Sequence, residues 1–135
     1  MALPMLTGKC ACNAIRFEVE DRFAYAFCCH CSQCRAASGS AFAAYAGIDR
    51  SRLVVVSGAD RLETLRKGND DRVNFCATCG STVFVFVRDG EFVHVPLGAL
   101  RDPPSIRPAF HAFVGSKAPW YDITDALPQF QTTAQ

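Results

Sequence analysis

With 135 residues, half of them hydrophobic and a fifth charged, the chain suits one domain with a real core and leaves no room for two. Fourteen basic against thirteen acidic side chains give a formal charge of +1, and the arginines are scattered (Arg16, Arg35, Arg50, Arg52, Arg61, Arg66). That excludes the clustered positive charge by which proteins displace counterions from nucleic acid.

Along the chain, the stretch from Met1 to Lys9 lacks the basic start and long apolar run of a signal peptide. No window approaches the roughly 18 continuous apolar residues of a membrane span. The expectation is a cytoplasmic protein with no membrane contact, in a reducing setting where dense cysteines mean metal or redox chemistry. Eight cysteines is an even number, so the alternative is a secreted disulfide domain.

Ile15-Arg16-Phe17-Glu18-Val19-Glu20 alternates with the period of a half-buried strand. Cys34-Arg35-Ala36-Ala37-Ser38, stopped by Gly39, predicts a short helical turn. Leu53-Val54-Val55-Val56 is a β-branched run closed by Ser57-Gly58, and Arg72-Val73-Asn74-Phe75 alternates again. Asp89-Gly90 between Thr82–Arg88 and Glu91–Val95 predicts a type I′ hairpin, with Arg88 opposite Glu91 and His94 opposite Val85. Both faces of Thr82–Arg88 are apolar, which fits a core strand or a strand with one side on a cavity. A second short helix is expected from about Thr124 to Phe130, broken by Pro128. The whole reads as one mainly β domain over residues 1–135, with a core from about 6 to 130 and a frayed polar tail at 131–135.

The cysteines fall in three groups: Cys10-x-Cys12, then Cys28-Cys29-His30-Cys31-Ser32-Gln33-Cys34, then Cys76-Ala77-Thr78-Cys79-Gly80. Zinc takes four ligands at tetrahedral angles, and two close pairs from distant segments supply them. In an extended segment Cys10 and Cys12 would turn to the same face. The second pair, Cys76 and Cys79, has the form of a zinc knuckle, whose glycine closes the turn. Together they make a four-cysteine site that is closed and therefore structural. A disulfide within Cys-x-Cys would close a very small ring with poor geometry.

In the middle group Cys29, Cys31 and Cys34 can face one ion. Three thiolates and a vacant position is the ligand count of a catalytic zinc, and the vacancy suits a thiolate substrate. The alternative is three reduced, metal-free cysteines, partly buried or redox-labile. Cys28 should point away from its neighbour as a small core residue. Of the histidines, His30 should project away from the ligands, His94 sits in the hairpin as a half-buried side chain, and His111 lies between phenylalanines within reach of a pocket. Phe42, Phe84, Phe86, Phe110 and Trp120 are candidates for the walls of that pocket or for plain core.

The motifs in this order (Gly8-Lys9-Cys10-Ala11-Cys12; Cys29-His30-Cys31-Ser32-Gln33-Cys34-Arg35 with Ser38-Gly39; Phe75-Cys76-Ala77-Thr78-Cys79-Gly80-Ser81) resemble the glutathione-dependent formaldehyde-activating enzyme (GFA) family. Leu97-Gly98-Ala99-Leu100-Arg101-Asp102-Pro103 and Lys117-Ala118-Pro119-Trp120 fit the same pattern, so the resemblance runs from about Leu6 to Phe130. It departs at Asn13, where the family often has glycine, and at Arg101, where an acidic residue is more usual.

The resemblance implies a single-domain β-tent fold of short antiparallel strands around two zinc positions. The structural zinc would take Cys10, Cys12, Cys76 and Cys79, and a second, open one Cys29, Cys31 and Cys34. The implied activity is carbon–sulfur lyase chemistry joining formaldehyde to glutathione to give S-hydroxymethylglutathione. Arg35 would offset the thiolate charge or hold a substrate carboxylate, unless it is an ordinary surface arginine. The competing reading is a non-catalytic, zinc-stabilised scaffold that binds a thiol or a protein partner.

Overall fold

The structure, a computed structural model, describes residues 4–66 and 70–134. A small sheet joins β1 (Met5–Lys9), β2 (Arg16–Glu20) and β5 (Leu53–Ser57) in the order β1-β2-β5. A large sheet contains β3 (Tyr25–Cys29), β4 (Ala43–Asp49), β6 (Leu62–Arg66), β7 (Arg72–Cys76), β8 (Thr82–Val87), β9 (Phe92–Pro96) and β10 (His111–Ala112). Its order is β10-β3-β4-β9-β8-β7-β6, antiparallel throughout except where β10 runs parallel to β3. The mainly β architecture of short antiparallel strands is therefore as expected from the sequence.

Strand β2 carries its alternation into packing: Phe17 and Val19 are fully buried while Arg16 is exposed. With Ile15 they meet Ile48, Val83, Val93 and Val95 of the large sheet, and Phe17 packs edge-on to Phe84 with ring centroids 6.2 Å apart. This buried layer joins the two sheets, since apolar faces are stable only against one another.

The opposite face of the large sheet carries Phe27, Cys29, Tyr45, Val85, Val87 and Ala112 as a second cluster. Strand β8 is thus apolar on both sides, with Phe84 and Phe86 toward the small sheet and Val85 and Val87 toward a cavity.

The hairpin forms in the predicted register, without the predicted Arg88–Glu91 ladder pair. His94 stands opposite Val85, and Asp89 (φ 57°, ψ 28°) and Gly90 (φ 86°) take the positive φ of a type I′ turn. The last ladder pair is Val87 with Phe92, and Arg88 itself has φ 53°. The chain twists out of the ladder one residue early, so Arg88 and Glu91 meet only through the Glu91 N–H donating to the Arg88 carbonyl at 3.1 Å.

The short helix, α1, spans Ser32–Ser38 and stops at Gly39 in the left-handed conformation. No helix forms between Thr124 and Phe130. There the Pro128 carbonyl accepts the His111 N–H and Phe130 N–H donates back to the His111 carbonyl. A proline, which lacks a donor and breaks a helix, serves well as an acceptor beside a strand edge.

Candidate metal and substrate site

None of the eight cysteines is disulfide-bonded. Seven of them converge in two clusters, and within each cluster the sulfurs all lie within 4.8 Å of one another. The first brings Cys10 and Cys12, from the β1–β2 connection, to Cys76 and Cys79 at the β7–β8 turn. The sulfurs of Cys10 and Cys12 are 3.7 Å apart, as are those of Cys12 and Cys76. A tetrahedron with arms of about 2.3 Å has edges of about 3.8 Å, so these separations fit one zinc-sized ion.

Local structure explains how the cluster forms. Cys10 and Cys12 lie in a turn rather than in the extended segment expected, closed by Asn13 N–H to the Cys10 carbonyl at 3.2 Å, with Asn13 at φ 69°. Asparagine thus fills a left-handed position without a glycine. Gly80, at φ 80°, closes the opposing turn by donating to the Cys76 carbonyl at 2.8 Å.

Donors aim at the sulfurs. Ile15 N–H points at Cys10 Sγ at 3.3 Å, and the Ser81 hydroxyl lies 3.2 Å from Cys79 Sγ. Ser81, through its hydroxyl and then its N–H, holds the Cys79 thiol down to about 5, and the Cys79 N–H lowers Cys76. Cys79 is therefore poised as a thiolate, the form that binds metal.

The second cluster is Cys29, Cys31 and Cys34. Cys29 ends β3, Cys31 caps α1 with its sulfur accepting the Cys34 N–H at 3.3 Å, and Cys34 sits buried in the first turn. The Cys34 thiol is pushed well above the ordinary range by its hydrogen bond to Cys29, by burial, and by the charge of Cys29. Cys29 and Cys34 are buried and Cys31 is half-buried, and three thiolates this close need a cation to offset their charge, so the donor set suits a soft divalent ion. Both clusters can thus hold metal. Cys28 stays outside them, its thiol raised by burial to about 11 and therefore neutral.

The second cluster, and not the first, opens on a cavity of about 760 Å³. Its walls include Phe27, Tyr45, Val85, Val87, Phe110 and Phe113. Of the aromatics considered from sequence, Phe110 lines this cavity. Phe84 lies in the core between the sheets, and Phe86 packs beside it under the Arg50 guanidinium at 4.0 Å. Phe42 packs at a tilt against His30 and lines a smaller hollow, and Trp120 is 69% exposed. The walls arise from cross-strand neighbours, which no local pattern reveals: Phe27 pairs with Tyr45, and Tyr25 with Gly47.

Far from the cysteines the cavity becomes polar. Tyr25 lies four residues before Cys29, about 13 Å along the strand, and its hydroxyl meets His94 Nε2 at 2.6 Å. Arg88 sits over the Phe92 ring at 4.4 Å and near the Tyr25 ring at 5.8 Å, with Asp71 on the same wall. His94, expected as a half-buried hairpin residue, thus faces the cavity. Arg35 is not part of the lining, and neither are His30 or His111.

Fold and clusters together define a two-sheet β protein with one four-thiol cluster set between two surface turns and one three-thiol cluster facing a cavity. The chain belongs to the family described as glutathione-dependent formaldehyde-activating enzyme, whose pattern matches residues 5–116. A protein of Halomonas elongata bearing the same family name is 33% identical over 129 residues, covering 88% of this chain and 81% of its own length. One from Aspergillus flavus, also so named, is 26% identical over 113 residues, and the match spans 58% of that longer protein. A Rhodobacter sphaeroides protein of known crystal structure superposes with a TM-score of 0.61 at 33% identity, covering 76% of this chain and 91% of that one. No helix among the described residues is long and apolar enough to cross a membrane.

Proposed function

We propose that the protein is a zinc-dependent carbon–sulfur lyase-type enzyme that joins the thiol of glutathione to formaldehyde, giving S-hydroxymethylglutathione, and that runs the reverse cleavage. The observation that carries the reading is the position of the Cys29–Cys31–Cys34 cluster on the wall of the cavity. A closed four-thiol centre has no room for a substrate, whereas three ligands leave one.

In this reading Cys10, Cys12, Cys76 and Cys79 hold a structural zinc, and Cys29, Cys31 and Cys34 hold the catalytic one. A bound zinc supplies a positive charge that keeps the incoming thiol deprotonated. The chain's own residues do the rest. Phe27, Phe110 and Phe113 keep water from the sulfur end. Tyr45 is held protonated by burial and then by the nearby charges of Cys34, Cys29 and Cys31, so its hydroxyl is available as a donor beside the reacting sulfur.

At the other end Arg88 offers a cation for a carboxylate and Asp71 an anion for an ammonium group, the two charges of an amino-acid terminus. A tripeptide thiol stretched between them would bring its sulfur to the cysteines.

The test is zinc content per chain in protein purified without chelator, together with the rate of hydroxymethylglutathione formation. Wild type should hold two zincs, and a Cys29→Ala, Cys31→Ala, Cys34→Ala variant one, with the fold kept and activity lost. A single zinc in both proteins, or activity that survives the triple substitution, rejects the reading.

A further inference from the structure

Behind the cysteine wall lies a polar chain that the proposed chemistry does not use. Asp125 accepts from His111 Nε2, its oxygens 3.0 and 3.1 Å away, and His111 Nδ1 lies 2.8 Å from His30 Nε2. Because the carboxylate can only accept here, His111 carries its proton on Nε2, and its Nδ1 accepts from His30. One aspartate thereby sets the direction of both hydrogen bonds. Both rings are buried, His30 completely and His111 to 2% exposure, whereas the Asp125 side chain is 47% exposed.

His30 is the residue between the ligands Cys29 and Cys31. Its N–H donates to the Ala112 carbonyl at 3.0 Å, the Cys28 N–H donates to Phe110, and Cys29 pairs with Ala43 on the other side. The strand end bearing the first ligand is gripped by β10 and β4, and the ring of His30 adds a side-chain tether at the point where the chain turns toward Cys31. His30 Nδ1 has no hydrogen-bond partner among the described atoms. A buried chain that leaves one end unsatisfied is a poor device for stability alone, but it fixes geometry.

We infer that Asp125, His111 and His30 are positioning residues for the Cys29–Cys31–Cys34 ligand set, orienting the ligand loop from behind. The inference rests on the reading of that triplet as a metal site. Asp125 is anchored in turn by Leu127 N–H at 3.0 Å, so the irregular stretch before the C-terminus is part of the device.

Zinc release from the full-length, metal-loaded protein into a chromogenic chelator tests this, with Cys29→Ala protein identifying the phase that belongs to the triplet. Asp125→Asn keeps the size but lets His111 turn its protons either way, and Asp125→Ala removes the anchor. Both should speed the triplet phase about tenfold or more, the usual effect of losing a partner behind the ligands, with alanine the worse. The other phase and the melting temperature should not move, and the visible spectrum of the cobalt-substituted triplet should broaden. Unchanged release, or both phases accelerating with a lower melting temperature, overturns the positioning role. A wild type that releases one ion, in a single phase indifferent to Cys29→Ala, overturns the metal reading beneath it.

Discussion

The Tyr25 ring lies flat across Gly47, so close that a Cβ on the glycine would stand 2.3 Å from it. By crossing that bare backbone Tyr25 reaches His94, which pairs with Gly47 on the next strand. Gly47→Ala should push the tyrosine aside, cost about 1–3 kcal/mol by overpacking, and raise the KM for thiol. Tyr25→Phe keeps the ring and loses the hydrogen bond, costing about 0.5–1.5 kcal/mol. Denaturant midpoints and thiol KM for both variants check this, and an alanine variant as stable as wild type contradicts it.

Arg88 is expected to choose the substrate by its charge. Arg88→Ala should raise the KM for glutathione about tenfold or more, as hydrogen bonds to charged groups contribute about 1.5–3 kcal/mol. A small neutral thiol, which cannot reach the far end of the cavity, should react as before. Equal losses with both thiols would remove Arg88 from recognition.

The two cysteine centres should differ in what their loss does. Cys76→Ala removes a ligand that ties β7 to the β1–β2 turn and should leave the chain largely unfolded or metal-free at that centre. Cys29→Ala should keep the far-ultraviolet dichroism while lowering metal content by one ion. Chelator titration followed by dichroism measures both. Unfolding on loss of the cavity-side metal alone would reverse the assignment.

Acid should weaken one cap in a known direction. The Asp49 carboxylate accepts from the Ser51 hydroxyl at 2.6 Å and the Ser51 N–H at 2.9 Å, and these bonds hold it below the usual carboxylate range. A depressed folded value means that the bonds stabilise above the unfolded value and lose their effect as pH falls through the folded one. Ser51→Ala should therefore melt lower than wild type near neutral pH, and the gap should begin to narrow near the ordinary carboxylate value of about 4 and close as pH falls below the folded one. A gap constant with pH would contradict the cap.

Much of the site was legible because ligand spacing is local. Cys10-x-Cys12 and Cys76-x-x-Cys79 state a four-thiol centre in the sequence, and Asp89-Gly90 states its turn. Strands β3 and β4 were not legible: Tyr25-Ala-Phe-Cys-Cys and Ala43-Ala-Tyr-Ala-Gly-Ile-Asp bury most residues on both faces, which erases alternation. These two strands build the cavity, so its position stayed hidden with them. The expected helix at 124–130 failed for a related reason, since partners distant in sequence, His111 above all, claim its backbone.

The parallel placement of β10 beside β3 has a consequence for biogenesis. Residues up to Cys79 include all four thiols of the first cluster, so that cluster can assemble while synthesis continues. The cavity-side loop is different, because His30 waits for a histidine 81 positions further along, and such distant contacts are slow to form. A chain interrupted before β10 would carry the first four thiols already gathered and a second set left unbraced, open to oxidation until the last segment docks.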